Sequence, residues 1–278
     1  MQNDKRHTIK LLGAGVFVSA FGGTLSGCLS GNLVASSSHP PQSLNEPKII
    51  KSRNWLSGKT SLITANYPTD SIFEQDAACQ VSLFPRNTEG PCYFSTTTGE
   101  DISTGLSGLP MMYCFQIIDQ DCNPVSGYEV EIWHCDNRGI YSADTSNSLD
   151  SRRFSAGFCS NGDEAAMKST WYRGVLTTNA MGRVNFKSTF PGWYPGRTAH
   201  VHFKVKKGNK TSVTSQLCFT DQLCQEIYNQ EEHYKSRGSQ DTSIRTDGFF
   251  ADAETFRFGM KQNADGSLLA FKQIQISA

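Results

Sequence analysis

"PGWYPGRTAHVHFKV", residues 191–205, carries Tyr194, Arg197, His200 and His202 before and within a strand-like apolar run. His200 and His202 are two residues apart, a spacing that puts both on one face of a β-strand. Ala199, Val201, Phe203 and Val205 then form the opposite, core-facing side. Two imidazoles side by side suit a metal, because each ring can turn a nitrogen toward a common point. A pair of structural histidines would give the same pattern, so the neighbours decide the weight of the reading. Tyr194 sits between Trp193 and Pro195 on a turn before the strand. "HCDNRGIYS" (134–142) puts Tyr141 beyond another strand, after a turn at Gly139. Two phenolates with two neutral imidazoles make an N2O2 set of doubly negative charge. Phenolate is a hard anionic donor and favours a trivalent ion such as Fe(III) over Zn(II). Taken singly, each tyrosine also reads as packing beside Trp, Pro and Gly.

Outward from this stretch the chain is a series of short strands. "MMYCFQIID" (111–119) and "GYEVEIWHCD" (127–136) read as two strands around the turn "QDCNPVSG". "YRGVLTTNAMGRVNFKSTF" (172–190) reads as strand, turn and strand, and "SVTSQLCFT" (212–220) as the strand after 199–205. "DQLCQEIYNQEEHYK" (221–235) is the one helical run, with Leu223, Ile227 and Tyr228 at helical spacing. Residues 264–277 read as a late hairpin turning at "ADG". No internal repeat is present. The fold expected is all-β, a sandwich or barrel with one short helix near the C-terminus.

Charge is balanced, 26 Lys and Arg against 26 Asp and Glu, which argues against nucleic acid or an anionic membrane surface as partner. Residues 1–28 read as a targeting segment: Lys5, Arg6 and Lys10, then "LLGAGVFVSAFGGTL", then "LSGC" ending at Cys28. "LSGC" resembles a bacterial lipobox, which implies export and a lipid anchor on Cys28 in the cell envelope. A plain secretory signal is the alternative. "KRHTIK" resembles a twin-arginine motif with Lys5 in place of the first arginine, so the export route stays open. Residues 29–75, with "SSSHPPQSLNEP", read as a tether or irregular N-terminal arm, and 76–278 as the folded domain. Of nine cysteines, Cys28 is the anchor candidate, and the even remainder suggests disulfides in an exported chain. No C-x-x-C pair occurs, which weighs against zinc.

"TEGPCYF" (88–94), "VEIWHCDNRGIYS" (130–142), the opening stretch, "TSQLCF" (214–219) and "YKSRGSQDTSIRTDGFF" (234–250) stand in an order that resembles the intradiol ring-cleavage dioxygenases. The last of them is similar to the tail of an exported bacterial branch. The resemblance runs from about residue 76 to 265 and implies non-haem Fe(III) held by Tyr141, Tyr194, His200 and His202. It makes Tyr194 and His202 axial ligands and Tyr141 and His200 equatorial ones. It implies a catechol-type substrate cleaved by O2 to a cis,cis-muconate-type diacid, with Tyr194 as a proton acceptor. Arg197 corresponds to the family's active-site arginine, Gln216 to its pocket glutamine that orients the arginine or substrate, and Thr88, Pro91 and Tyr93 to entrance residues. Cys92 departs from the pattern. The other function weighed is a non-catalytic β-sandwich lipoprotein binding phenolic or carbohydrate ligands. His134 reads as structural, and Glu129 and Glu131 as a solvated strand face. The domain has no room for the helical dimerisation segment of catechol 1,2-dioxygenases, and oligomerisation stays open.

Overall fold

The strand Pro110–Ile118 (β3) is buried at every residue, so both its faces must be covered. One covering is the sandwich core. The other is the chain's own N-terminal arm. The structure, a computed structural model, describes residues 54–73, 83–97, 99–250 and 253–278. The targeting segment and Cys28 lie outside these residues, and every described residue belongs to one compact unit beginning at Asn45.

Gly58–Lys59 (β1) pairs antiparallel with Ser107–Gly108 (β2). Phe73 then packs with Met112 and Cys114 on the outer side of β3, joined by Ile63, Ala65 and Tyr67. Asp265 accepts hydrogen bonds from the Thr64 and Ala65 backbone N–H groups, at 2.7 and 2.9 Å. The described part of the segment read as a tether is therefore an arm packed on the sandwich. Its widely spaced apolar residues bury area that its Ser- and Pro-rich composition hides.

The remaining strands are Glu129–Trp133 (β4), Arg173–Thr177 (β5), Arg183–Thr189 (β6), His200–Lys207 (β7), Lys210–Cys218 (β8), Gly259–Gln262 (β9) and Leu268–Gln275 (β10). They form two four-stranded sheets, ordered β6-β3-β10-β9 and β5-β4-β7-β8. All pairings within them are antiparallel except β10 with β3. Met111, Tyr113, Phe115 and Ile117 of the first sheet meet Val130, Ile132, Val201, Phe203 and Val205 of the second in one core. The Phe115 and Phe203 rings, 6.3 Å apart, mark its centre.

The all-β sandwich expected from the sequence is observed. Its pairing differs in two places. β3 and β4 are not a hairpin, and neither are β5 and β6: in each case the chain crosses from one sheet to the other. Alternation fixes which side of a strand is apolar but not which strand it meets. The late hairpin is β9 and β10, earlier than 264–277, turning through 263–267. The helix is Asp221–Gln230 (α3), shorter than the run 221–235, with Thr220 Oγ1 accepting the Leu223 N–H. Among the described residues it is accompanied by three single-turn α-helices, Ala156–Ser160 (α1), Glu164–Met167 (α2) and Ala253–Phe256 (α4), and by two 3-10 turns, Thr60–Leu62 and Asp70–Ile72.

Candidate functional site

β7 lies between β4 and β8, and its outer face carries His200 and His202. His202 stands opposite Trp133 on β4 and Gln216 on β8. Ala199, Val201, Phe203 and Val205 are fully buried on the core side, as the alternation predicts. The Trp133 indole stacks on the His202 ring at 5.0 Å and 9° and fixes its plane.

Two loops bring the tyrosines. After β4 the chain turns around Asp136, whose Oδ1 accepts the backbone N–H groups of Arg138 and Ile140, both at 2.9 Å. The Tyr141 N–H then donates to Cys159 O. The second loop, 191–199, is pressed against the first. Gly139, at φ 83°, leaves no room for a Cβ, which would lie 2.1 Å from Trp193 O. A Cβ on Gly192 would lie 2.5 Å from Asp136 O. Glycine at both points lets the loops touch, and contact of the loops is what brings the two phenols together.

The four side chains meet at His200 Nε2. Tyr194 Oη is 3.1 Å away, His202 Nε2 3.2 Å and Tyr141 Oη 3.5 Å. His200 Nδ1 donates to Thr198 O at 2.7 Å, because a carbonyl can only accept. The proton is thus on Nδ1, and Nε2 offers a lone pair to the cluster. That one lone pair cannot accept from three neighbours at once, and His202 Nδ1 is buried with no hydrogen-bond partner. The cluster has more lone pairs than protons, which is the chemistry of a cation site.

Electrostatics agree. Burial holds both imidazoles neutral, well below the usual histidine pKa, with the Arg197 charge adding to the effect. Burial pushes the Tyr194 phenol up to about 12 and Tyr141 well above the ordinary tyrosine value. Two neutral imidazoles and two phenols that ionise only beside a cation fit a hard trivalent metal. Among the described residues no group of three or more His, Cys, Asp or Glu could hold a metal, so the set depends on its phenols.

Arg197 is not a surface cation. Its Nε donates to Asp247 Oδ2 at 2.9 Å, its Nη2 to Gln216 Oε1 at 2.6 Å, and its Nη1 lies 3.5 Å from Tyr194 Oη. Gln216 Nε2 donates onward to Thr88 O. Gln216 therefore orients Arg197. Asp247, which also accepts the Thr198 N–H, has a role that sequence reasoning missed. It lies inside the quoted tail, and a lone acid before "GFF" gave no sign of a distant partner.

The cluster opens on a cleft of about 330 Å³ lined in part by Thr88, Pro91, Cys92, Tyr141, Tyr194 and His202. Thr88 and Pro91 are where the resemblance puts them. Tyr93 is not. It is buried, donates to Glu131 Oε2 at 2.7 Å, and borders a separate polar cleft with Lys204 and Glu89. Glu131 is also buried, paired to Lys206 at 2.5 Å, which corrects its reading as a solvated residue. Cys92 forms a disulfide with Cys159 at the cleft wall, and Cys122 is disulfide-bonded too. The disulfides suggested by the even cysteine count therefore form in part, while Cys114, Cys135, Cys218 and Cys224 are buried free thiols. His134 is structural: its Nδ1 donates to Cys135 O and its Nε2 accepts from Ser188.

A family model described as "Dioxygenase" matches residues 89–232, just over half of the chain. Catechol 1,2-dioxygenase 1 of Acinetobacter lwoffii is 26% identical over 158 residues, covering 48% of this chain and 45% of the relative. 6-Chlorohydroxyquinol 1,2-dioxygenase of Cupriavidus pinatubonensis is 28% identical over 149 residues, covering 47% and 46%. The chain thus spans about half the length of the curated relatives it matches. Among solved structures, an intradiol ring-cleavage dioxygenase from Tetranychus urticae superposes with a TM-score of 0.59 at 25% identity. The match covers 71% of this chain and 95% of that one.

Proposed function

The chain belongs to the intradiol dioxygenase family matched over residues 89–232, and on that premise we propose that it cleaves a catechol-type ring with O2 between the two hydroxyl-bearing carbons. The product is a cis,cis-muconate-type diacid. The observation that carries the reading is the meeting of Tyr141, Tyr194, His200 and His202 around His200 Nε2, at the floor of an open cleft.

These four side chains would hold Fe(III). Such an ion would supply Lewis acidity that makes a catechol ring reactive toward O2. Tyr194 Oη, which borders the cleft, takes up a catechol proton as the substrate binds. Tyr141, more deeply buried and with its backbone tied to Cys159, would be anionic once the ion is bound and would keep the site's charge low. Trp133 and Thr198 hold the imidazoles of His202 and His200 in place. The Arg197 guanidinium, fixed by Asp247 and Gln216, stabilises negative charge that grows on the ring during reaction. Its planar fork is bound at two points, so little reorganisation is needed at that moment.

The test is metal analysis, visible absorption and oxygen uptake on catechol. One iron per chain, a red-brown tint from phenolate-to-iron charge transfer, and a diacid product are expected. If Tyr141→Phe and Tyr194→Phe both keep the wild-type absorption, the two-phenolate assignment is wrong. Iron binding without oxygen uptake on any catechol would favour the non-catalytic binding module.

A further inference from the structure

Two phenyl rings on the cleft wall face water. Phe158, on α1, is 65% exposed, and Phe249 is 41% exposed. Single exposed apolar residues are ordinary, but two that share one concavity above a reactive centre form a binding surface. Both are anchored. Phe158 precedes Cys159, whose disulfide to Cys92 fastens α1 beside the cleft. Phe249 lies against the Arg197 guanidinium at 4.2 Å, and its carbonyl accepts from Asn87. Pro91 and Pro195 extend the apolar wall.

Positive charge is scarce there. Among the described lining residues Arg197 is the one cation; Asp247 neutralises it, and its Nε and Nη2 are tied to Asp247 and Gln216 while Nη1 faces the Tyr194 hydroxyl. A carboxylate carried outward on the substrate, beside Phe158 and Phe249, would find no ammonium group and no cation other than the Asp247-paired Arg197 among the described lining residues, and would give up water without a dedicated partner. The volume of about 330 Å³ falls within the range of sites for ligands larger than a single ring.

Resting on the ring-cleavage reading above, we infer that the site takes catechols carrying a bulky apolar, preferably aromatic, substituent that packs on Phe158 and Phe249, and discriminates against catechols carrying a carboxylate. The diol occupies the floor beside Tyr194 and His202. The substituent lies outward, where ring–ring contact adds to burial of apolar area.

The experiment compares 4-phenylcatechol, catechol and 3,4-dihydroxybenzoate on the iron-loaded protein. Dissociation constants are taken without oxygen, and kcat/KM with it. 4-Phenylcatechol should be favoured over catechol by about tenfold, and the acid disfavoured by a similar factor. Phe158→Ala should lower the phenylcatechol-to-catechol ratio severalfold, while Phe158→Tyr keeps it. Cleavage of catechol with no phenyl preference, or with the acid preferred, overturns the inference and leaves ring cleavage standing. A ratio unmoved by Phe158→Ala overturns it as well. Binding in the expected order without turnover of any of the three removes ring cleavage and keeps the assignment of the cleft.

Discussion

One face of β7 carries two opposite solutions to burying polar side chains. At its start, His200 and His202 meet two phenols, with more lone pairs than protons among them. Two residues on, Lys204 bonds Glu89 at 2.6 Å and lies over the Tyr93 ring at 3.4 Å. Lys206 then pairs with Glu131. Every charge at the far end has a protein partner. The near end leaves His202 Nδ1 without a partner, as the proposed iron site would explain. Paired charges on a strand offset most of the cost of their own desolvation, so the far end needs nothing added. Converging unpaired donors forgo stability in the metal-free protein, and that cost is explained by a ligand.

The sharpest way to break this contrast is His202→Ala. Iron content should fall to near zero and turnover by at least about a thousandfold, beyond the roughly 10–100-fold of an outer-shell change. Normal iron in that variant would mean that the near end does not need its full donor set.

His134, the residue just after β4, supplies a control: a histidine with both ring nitrogens partnered. Burial lowers its pKa to about 4, against about 6.5 unfolded. Because the unfolded chain binds the proton first, stability is full above about pH 6.5 and declines as pH falls toward about 4. The loss reaches about 3 kcal/mol over that window. Thermal melts of metal-free protein from pH 7 to pH 4 should show it, and His134→Gln should flatten the slope by about one proton. An unchanged slope would assign the acid sensitivity to other groups, His200 and His202 among them.

Arg197 tests where binding ends and chemistry begins. Arg197→Leu should keep iron and colour but lose about a hundredfold in kcat, the scale of removing one fixed electrostatic donor. Arg197→Lys should recover part of it, since a point charge replaces a planar fork. Asp247→Asn, which loosens Arg197 without removing it, should lower kcat by about tenfold with iron content unchanged. A KM effect alone would make Arg197 a binding residue.

The smallest effect belongs to the far end. Lys204→Met should cost about 1 kcal/mol in chemical denaturation, because Glu89 can turn partly to water. Iron and turnover should be untouched. Loss of iron in Lys204→Met would join the two ends of the strand into one site.

Much of this was legible in the chain. Period-two alternation over 199–205 fixed the core face of β7 and hence the shared outer face of His200 and His202, because side chains in a strand must alternate. The separated motifs carried the family and the four converging residues. The run 111–119 was legible as a strand, but not that both its faces are covered.

What the linear order could not supply is contact between distant segments. That β3 and β4 lie in different sheets, that residues 54–73 cover β3, and that Glu131 is buried beneath Tyr93 follow from which surfaces find each other when the sandwich closes. Asp247 reaches Arg197 across 50 positions, and Cys159 reaches Cys92 across 67. Local propensity acts over a few residues, whereas these pairings are set by packing of the whole core. The sequence by itself determined the strand faces and the chemical types at the site. The tertiary structure decided which distant partners hold them, because a hydrogen bond or a packed ring depends on position in space and not on separation along the chain.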